Sequence, residues 1–239
     1  MKTTIATAVL VLIGLTAHAQ KIIEKTIAHN ERAIALEVKF ASSITVRTWD
    51  KPQVYIKATI RTEGQQYQDD YKLHVTETAN TIRIESDVKA IFEKFKEAWE
   101  QNPDKRKNYY NTSDQYTFTY TLFVPKDAAL EVSSINGSLS SENITGTFTA
   151  DLINGDIEIA KYSGNLELST INGIIDMPLT DVQMVAETVH GEIYLPKNVK
   201  FESSDRRVGE KISANVDGGT HRLVLNTVNG NMYLRDGQK

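Results

Sequence analysis

The chain has 239 residues, 40% of them hydrophobic and 24% charged, with a formal net charge of −4 and no cysteine. That length is ample for a buried core. Zero cysteine excludes disulfides, thiolate chemistry and a lipidated N-terminal cysteine, and a mildly acidic balance argues against nucleic acid, which requires a concentrated basic face.

Residues 1–19 read as a secretory signal peptide. Lys2 supplies the positive start, Ile5 to Leu15 the apolar core, and Ala17-His18-Ala19 a small-x-small cleavage site. The apolar run is too short to span a membrane, and no later run is long enough. Cleavage after Ala19 leaves Gln20 as the N-terminus of a mature chain with 26 basic and 31 acidic residues, net −5. The expected location is therefore outside the cytoplasm, in the periplasm or at the cell surface, with the chain soluble once cleaved.

Residues 21–87 alternate apolar and polar side chains in runs such as 33–40, 43–49 and 54–60, the mark of half-buried strands. Leu73 to Val75 and Ile82 to Ile84 flank Ala79-Asn80 as a hairpin. Residues 88–101 break the pattern. Val88, Ile91, Phe92, Phe95, Ala98 and Trp99 recur at helical spacing, with Lys and Glu between them, up to Asn102-Pro103. This amphipathic helix opens an insertion, 88–115, whose loop carries Lys105-Arg106-Lys107 and Tyr109-Tyr110. The stripe either caps the sheet or meets a partner through Phe92, Phe95 and Trp99. Tyr116 to Val124 is a further strand, stopped by Pro125.

From 131 onward the chain repeats. Ile135-Asn136-Gly137, Ile153-Asn154-Gly155, Ile171-Asn172-Gly173 and Val189-His190-Gly191 place glycines 18 residues apart. Leu139, Phe148, Ile157, Leu166, Ile175, Met184 and Ile193 fall every nine residues, as do Ile135, Ile144, Ile153, Tyr162 and Ile171. One turn is thus two nine-residue halves, each a strand and a corner. Strands at constant separation stack in parallel, like over like. The expected fold is all-β, a parallel β-solenoid with about 18 residues per turn and both aliphatic columns inside.

Glycine suits a corner because it takes positive φ without steric cost, and Asn tolerates the same region. The Asn amides then form a stacked ladder; the competing reading is a row of ligand or Ca²⁺ contacts, although the Asp-rich calcium nonapeptide is missing. His190 takes the Asn place in the fourth phrase, either as a corner substitution or as a ligand, with no second His or carboxylate at metal spacing. No metal or other cofactor is expected. The register lapses at Gly209, where Arg207 stands in the aliphatic place, and returns at Val228-Asn229-Gly230. Residues 200–221 read as an irregular turn with a small insertion. Asn231 to Leu234 reads as the last strand, with a polar tail, Arg235 to Lys239, over the open end. The whole of 20–239 reads as one domain, less regular over 20–130.

Taken together, Leu122-Phe123-Val124-Pro125, Leu130 to Gly137, Ile153 to Ile159 and Ile44 to Asp50 carry a resemblance. Over about 30–234 the chain resembles the putative-adhesin, β-strand-repeat family of unknown function, related to autotransporter adhesin head domains. The leader ending in Ala-Gln is similar to that of exported Bacteroidota proteins. The resemblance implies a fold and a location rather than a reaction, and it brings no catalytic residues; the helix at 88–101 departs from it. The function expected is a non-catalytic binding or scaffold module of the cell envelope, its partner an unidentified protein or glycan. The alternative is a carbohydrate-active enzyme, a lyase or hydrolase, using Asp156, Glu192 and Glu210 near one column or Glu158 and Asp176 near another. GxSxG, HExxH and P-loop phrases do not occur.

Overall fold

The computed structural model of the protein describes residues 20–102, 112, 114–204 and 207–237. The expected signal peptide, the Lys105-Arg106-Lys107 and Tyr109-Tyr110 loop and the last two residues of the tail lie outside the described residues.

Strands with alternating side chains must bury one face. Among the described residues, 18 strands join one large, mostly parallel sheet that does not close on itself. Numbered in chain order, they fall into two ladders. The first runs β5 (Lys72–Glu77), β6 (Thr81–Asp87), β2 (Ala33–Glu37), β8 (Ala129–Ser141), β9 (Ile144–Asn154) and β11 (Tyr162–Asn172). It continues through β17 (His221–Asn229), β13 (Val182–His190), β16 (Glu210–Val216) and β15 (Phe201–Ser203). The second runs β1 (Lys21–Ala28), β4 (Gln53–Thr62), β7 (Tyr116–Pro125) and β3 (Phe40–Trp49), then the second half of β8. It ends with β10 (Ile157–Ile159), β12 (Ile175–Leu179), β18 (Met232–Asp236) and β14 (Ile193–Tyr194).

β8 belongs to both ladders. Its first half pairs with β2 and β9, and residues 138–141 pair with β3 and β10. The crossing falls at Gly137, whose φ of +101° favours glycine. Each later 18-residue step repeats the crossing. Tyr162 lies beside Ile144 and Leu166 beside Phe148 in the first ladder, and Ile157 lies between Leu139 and Ile175 in the second. The nine-residue column is therefore two interior columns, one per ladder, and a single buried cluster draws on both.

Three expectations change. Ile153 and Ile171 are 39% and 41% exposed, so the aliphatic of the repeated phrase points outward, while Ile144 and Tyr162 of the same nine-residue series are buried. Alternation decides this: the inward place before each aliphatic is held by Ser134, Leu152, Thr170, Thr188 or Thr227, all buried.

The repeated strands also do not stack in sequence order. β17 lies between β11 and β13, and β18 lies between β12 and β14. The last strand pair, β17 and β18, is inserted next to last in both ladders rather than placed at the end, so Arg235 at the start of the tail does not cap an end. Instead β16 and β15 close the first ladder, pairing antiparallel beyond β13. Residues 201–203 and 210–216 thus pair as antiparallel strands where an irregular turn with a small insertion was expected over 200–221.

At the other end, Lys25 on edge strand β1 donates to the Leu73 carbonyl on edge strand β5 (2.8 Å) and Lys21 reaches Asp69 (3.3 Å). Inward lysines on an edge oppose strand addition.

Candidate functional site

Three features collect the residues singled out by the sequence: the repeat corner, the helix and the outer face of the second ladder.

At the corner, Asn154 Nδ2 donates to Asn136 Oδ1 (3.1 Å), Asn172 to Asn154 (2.8 Å) and Asn229 to Asn172 (2.8 Å). His190 is registered beside Asn229 and ends the row. These amides bond each other along the stack. Among the described residues, no group of three or more His, Asp or Glu is placed to hold a metal ion.

The glycines have a reason other than backbone conformation. Gly155, Gly173, Gly191 and Gly230 do not have positive φ. A Cβ on Gly173 would lie 2.0 Å from the carbonyl oxygen of Gly155, and one on Gly230 1.9 Å from that of Gly173. Stacked corners approach too closely for any side chain.

The sequence reading missed the hydroxyls three residues before four of the five corner glycines, Gly155 being preceded by Leu152 instead. Thr170 Oγ1 donates to the Gly155 carbonyl (2.9 Å), Thr188 to that of Gly230 (3.1 Å) and Thr227 to that of Gly173 (3.4 Å). The recurrence of Ser134, Thr170, Thr188 and Thr227 at one offset from glycine was the available signal. It looked like ordinary strand composition.

The helix α1 (Lys89–Gln101) buries Ile91 and Phe95. Phe92 packs against Phe40 (centroids 4.7 Å) and edge-on to Tyr116 (5.2 Å), and Phe95 against Tyr67 (5.8 Å). Of the three proposed anchors, Phe95 is thus committed to the core and Phe92 largely so. Trp99 is half-buried and borders a depression with Tyr67 and Phe95. A groove of about 690 Å³ between α1 and β6 has Phe40, Val88 and Phe92 as its floor. On its rim Lys89 lies 3.8 Å from Glu93 and His74 lies 3.9 Å from Asp87.

Most of the carboxylates considered for catalysis make hydrogen bonds or ion pairs within the sheet. Asp156 accepts from the Ile174 amide (2.8 Å), Glu210 from the Ile193 amide (3.1 Å) and Glu192 from the Tyr194 hydroxyl. That last bond raises the Tyr194 phenol above its usual value. Glu158 and Asp176 are registered neighbours, with Arg235 paired to Asp176 (2.5 Å).

On the outer face of the second ladder, Thr121, Thr45, Ser140, Glu158, Asp176, Tyr233 and Tyr194 form one continuous cross-strand row. Trp49, Tyr55 and Phe123 cluster beside its Thr121 end, centroids 5.2–6.2 Å apart.

Buried tyrosines complete the interior. Tyr71 donates to Tyr120 (2.9 Å), and burial raises both phenols. Tyr162 is pushed up to about 12 by burial, while its contact with Thr180 acts in the opposite direction. No helix among the described residues is long and apolar enough to cross a membrane.

No family model matches the chain, and no curated protein matches it in sequence. Solved structures do match. A putative cell adhesion protein from Clostridium sporogenes aligns with a TM-score of 0.50 at 9% identity, covering 92% of this chain and 100% of that one. A putative adhesin from Bacteroides fragilis (TM-score 0.27, 12% identity, 91% and 98% covered) is also similar. So is a putative lipid binding protein from Parabacteroides distasonis (0.26, 9%, 91% and 97%). At these identities the likeness is one of fold, and it rests on the Clostridium protein.

Proposed function

We propose that the protein is a non-catalytic binding or scaffold module of the cell envelope, exported by its N-terminal segment. The two ladders are read as the coils of an open β-solenoid, about 18 residues each where the repeat is regular. One observation carries this. The polar groups that recur with the repeat are spent on the stack itself: Asn amides on Asn amides, Thr hydroxyls on glycine carbonyls, and Asp156 and Glu210 on backbone amides. What the fold then offers outward is a long rigid surface. The adhesion-type names of its structural neighbours agree with this reading.

The test is retention of the purified chain on washed envelopes of its own cells, with Asp156→Asn and Glu192→Gln as controls. Saturable retention unaffected by either substitution is expected. Hydrolysis or elimination on envelope polysaccharides that both substitutions abolish would establish the enzyme instead.

A further inference from the structure

We infer that the outer face of the second ladder is a binding track for a neutral, linear glycan lying across the strands; this rests on the binding-module reading above. The row from Thr121 to Tyr194 is registered strand by strand without a gap. Adjacent strands lie about 4.8 Å apart, close to the length of one unit in an extended sugar chain. A glycan along this direction meets a new side chain at every unit.

The side chains suit a sugar. The middle of the row offers hydroxyls (Thr45, Ser140) and carboxylates (Glu158, Asp176), which bond a polyhydroxyl rim. Both ends carry aromatic rings, which take the apolar C–H faces. At one end Tyr194 and Tyr233 stack with centroids 5.0 Å apart and planes within 3°. They are 44% and 38% exposed, and among the described residues β14 is the last strand of its ladder, with no strand beyond Tyr194. At the other end Phe123 adjoins Thr121, backed by Tyr55 and Trp49.

Charge decides the sugar class. The cations nearest the row are already paired: Arg47 with Glu142 (2.7 Å), Arg235 with Asp176 (2.5 Å) and Lys57 with Glu24 (3.8 Å). Arg235 and Asp176 offset each other, which leaves Glu158 as the charge in the middle of the row, and it repels uronate or sulfate. An extended peptide gains affinity by pairing its backbone along a strand edge; the row runs across the strands, and the one edge it reaches, β14, is only two residues long.

The experiment is titration calorimetry of the full chain with linear hexasaccharides of glucose, N-acetylglucosamine, mannose and xylose, and with hexagalacturonate. At least one neutral hexasaccharide is expected to bind, and its trisaccharide about tenfold more weakly, because it cannot reach both aromatic ends. Tyr194→Ala and Phe123→Ala should each weaken binding about fivefold or more, and Glu158→Gln, which keeps the fold, should weaken it too. Absence of binding to every neutral hexasaccharide would overturn the track. So would affinity unchanged by all three substitutions, or preference for hexagalacturonate. Envelope retention that persists with no glycan binding would sink the track while leaving the binding-module reading standing.

Discussion

Leu168 is fully buried on β11, whereas Ile171, three residues on, is 41% exposed. Leu168→Ala should therefore cost about 2–5 kcal/mol and Ile171→Ala less than about 1 kcal/mol, measured by urea denaturation. Equal losses would mean the inward face is misassigned. At Gly173 an added methyl meets the Gly155 carbonyl oxygen at 2.0 Å, backbone against backbone. Gly173→Ala should cost at least about 1–3 kcal/mol, as overpacking does; a neutral result would contradict the close stacking. The tyrosines set the alkaline limit. Tyr162 has a folded value of about 12 against 10.0 unfolded, so the fold binds its phenolic proton more tightly. That contribution is whole below about pH 10 and lost as pH rises toward 12. Stability should fall over that window, and Tyr162→Phe should lessen the fall; a pH-independent midpoint there would refute it. At this scale the repeated phrase showed where the corners are. It did not show which neighbour points inward, because Thr170 is less apolar than Ile171 and its hydroxyl finds a partner only in the stacked coil.

Elements with strong local periodicity were legible. The stripe of Ile91, Phe92 and Phe95 marked α1, and the runs around Ala79-Asn80 marked the β5–β6 hairpin, because both signals lie within a few residues. What the helix stripe meets was not legible, since Phe40, Tyr67 and Tyr116 come from distant segments. Phe95→Ala should cost about 3–5 kcal/mol and loosen α1, read by hydrogen exchange of its amides. Unchanged stability would make the helix a detachable element rather than a cap. The Asn ladder belongs here too: Asn172 bonds both Asn154 and Asn229, so Asn172→Ala breaks two contacts where Asn136→Ala breaks one. The former should be the more destabilising.

Across the whole molecule, all-β character and parallel stacking follow from the 18-residue period, and the solved structure from Clostridium sporogenes shares the architecture at 9% identity. The order of the coils does not follow from the period. Gly191 continues the count at 18 residues, yet it stacks on Gly230, and Gly230 stacks on Gly173. A repeat states that its units are alike and therefore interchangeable in register; it cannot state which neighbours which. The chain passes through β13 and β14, turns back through the antiparallel β15 and β16, and fills the vacant layer with β17 and β18. The central claim is this insertion. Since the chain has no cysteine of its own, paired cysteines test it directly. Glu167 is registered to Val224, and Val224 to Val185, so Glu167 and Val185 lie two strands apart, roughly 9–10 Å. That exceeds the reach of a disulfide, whereas adjacent strands fall within it. Under mild oxidation, Glu167→Cys with Val224→Cys should cross-link, and Glu167→Cys with Val185→Cys should not. Cross-linking of the 167–185 pair, with none for 167–224, would show that the coils stack in sequence order and contradict the account.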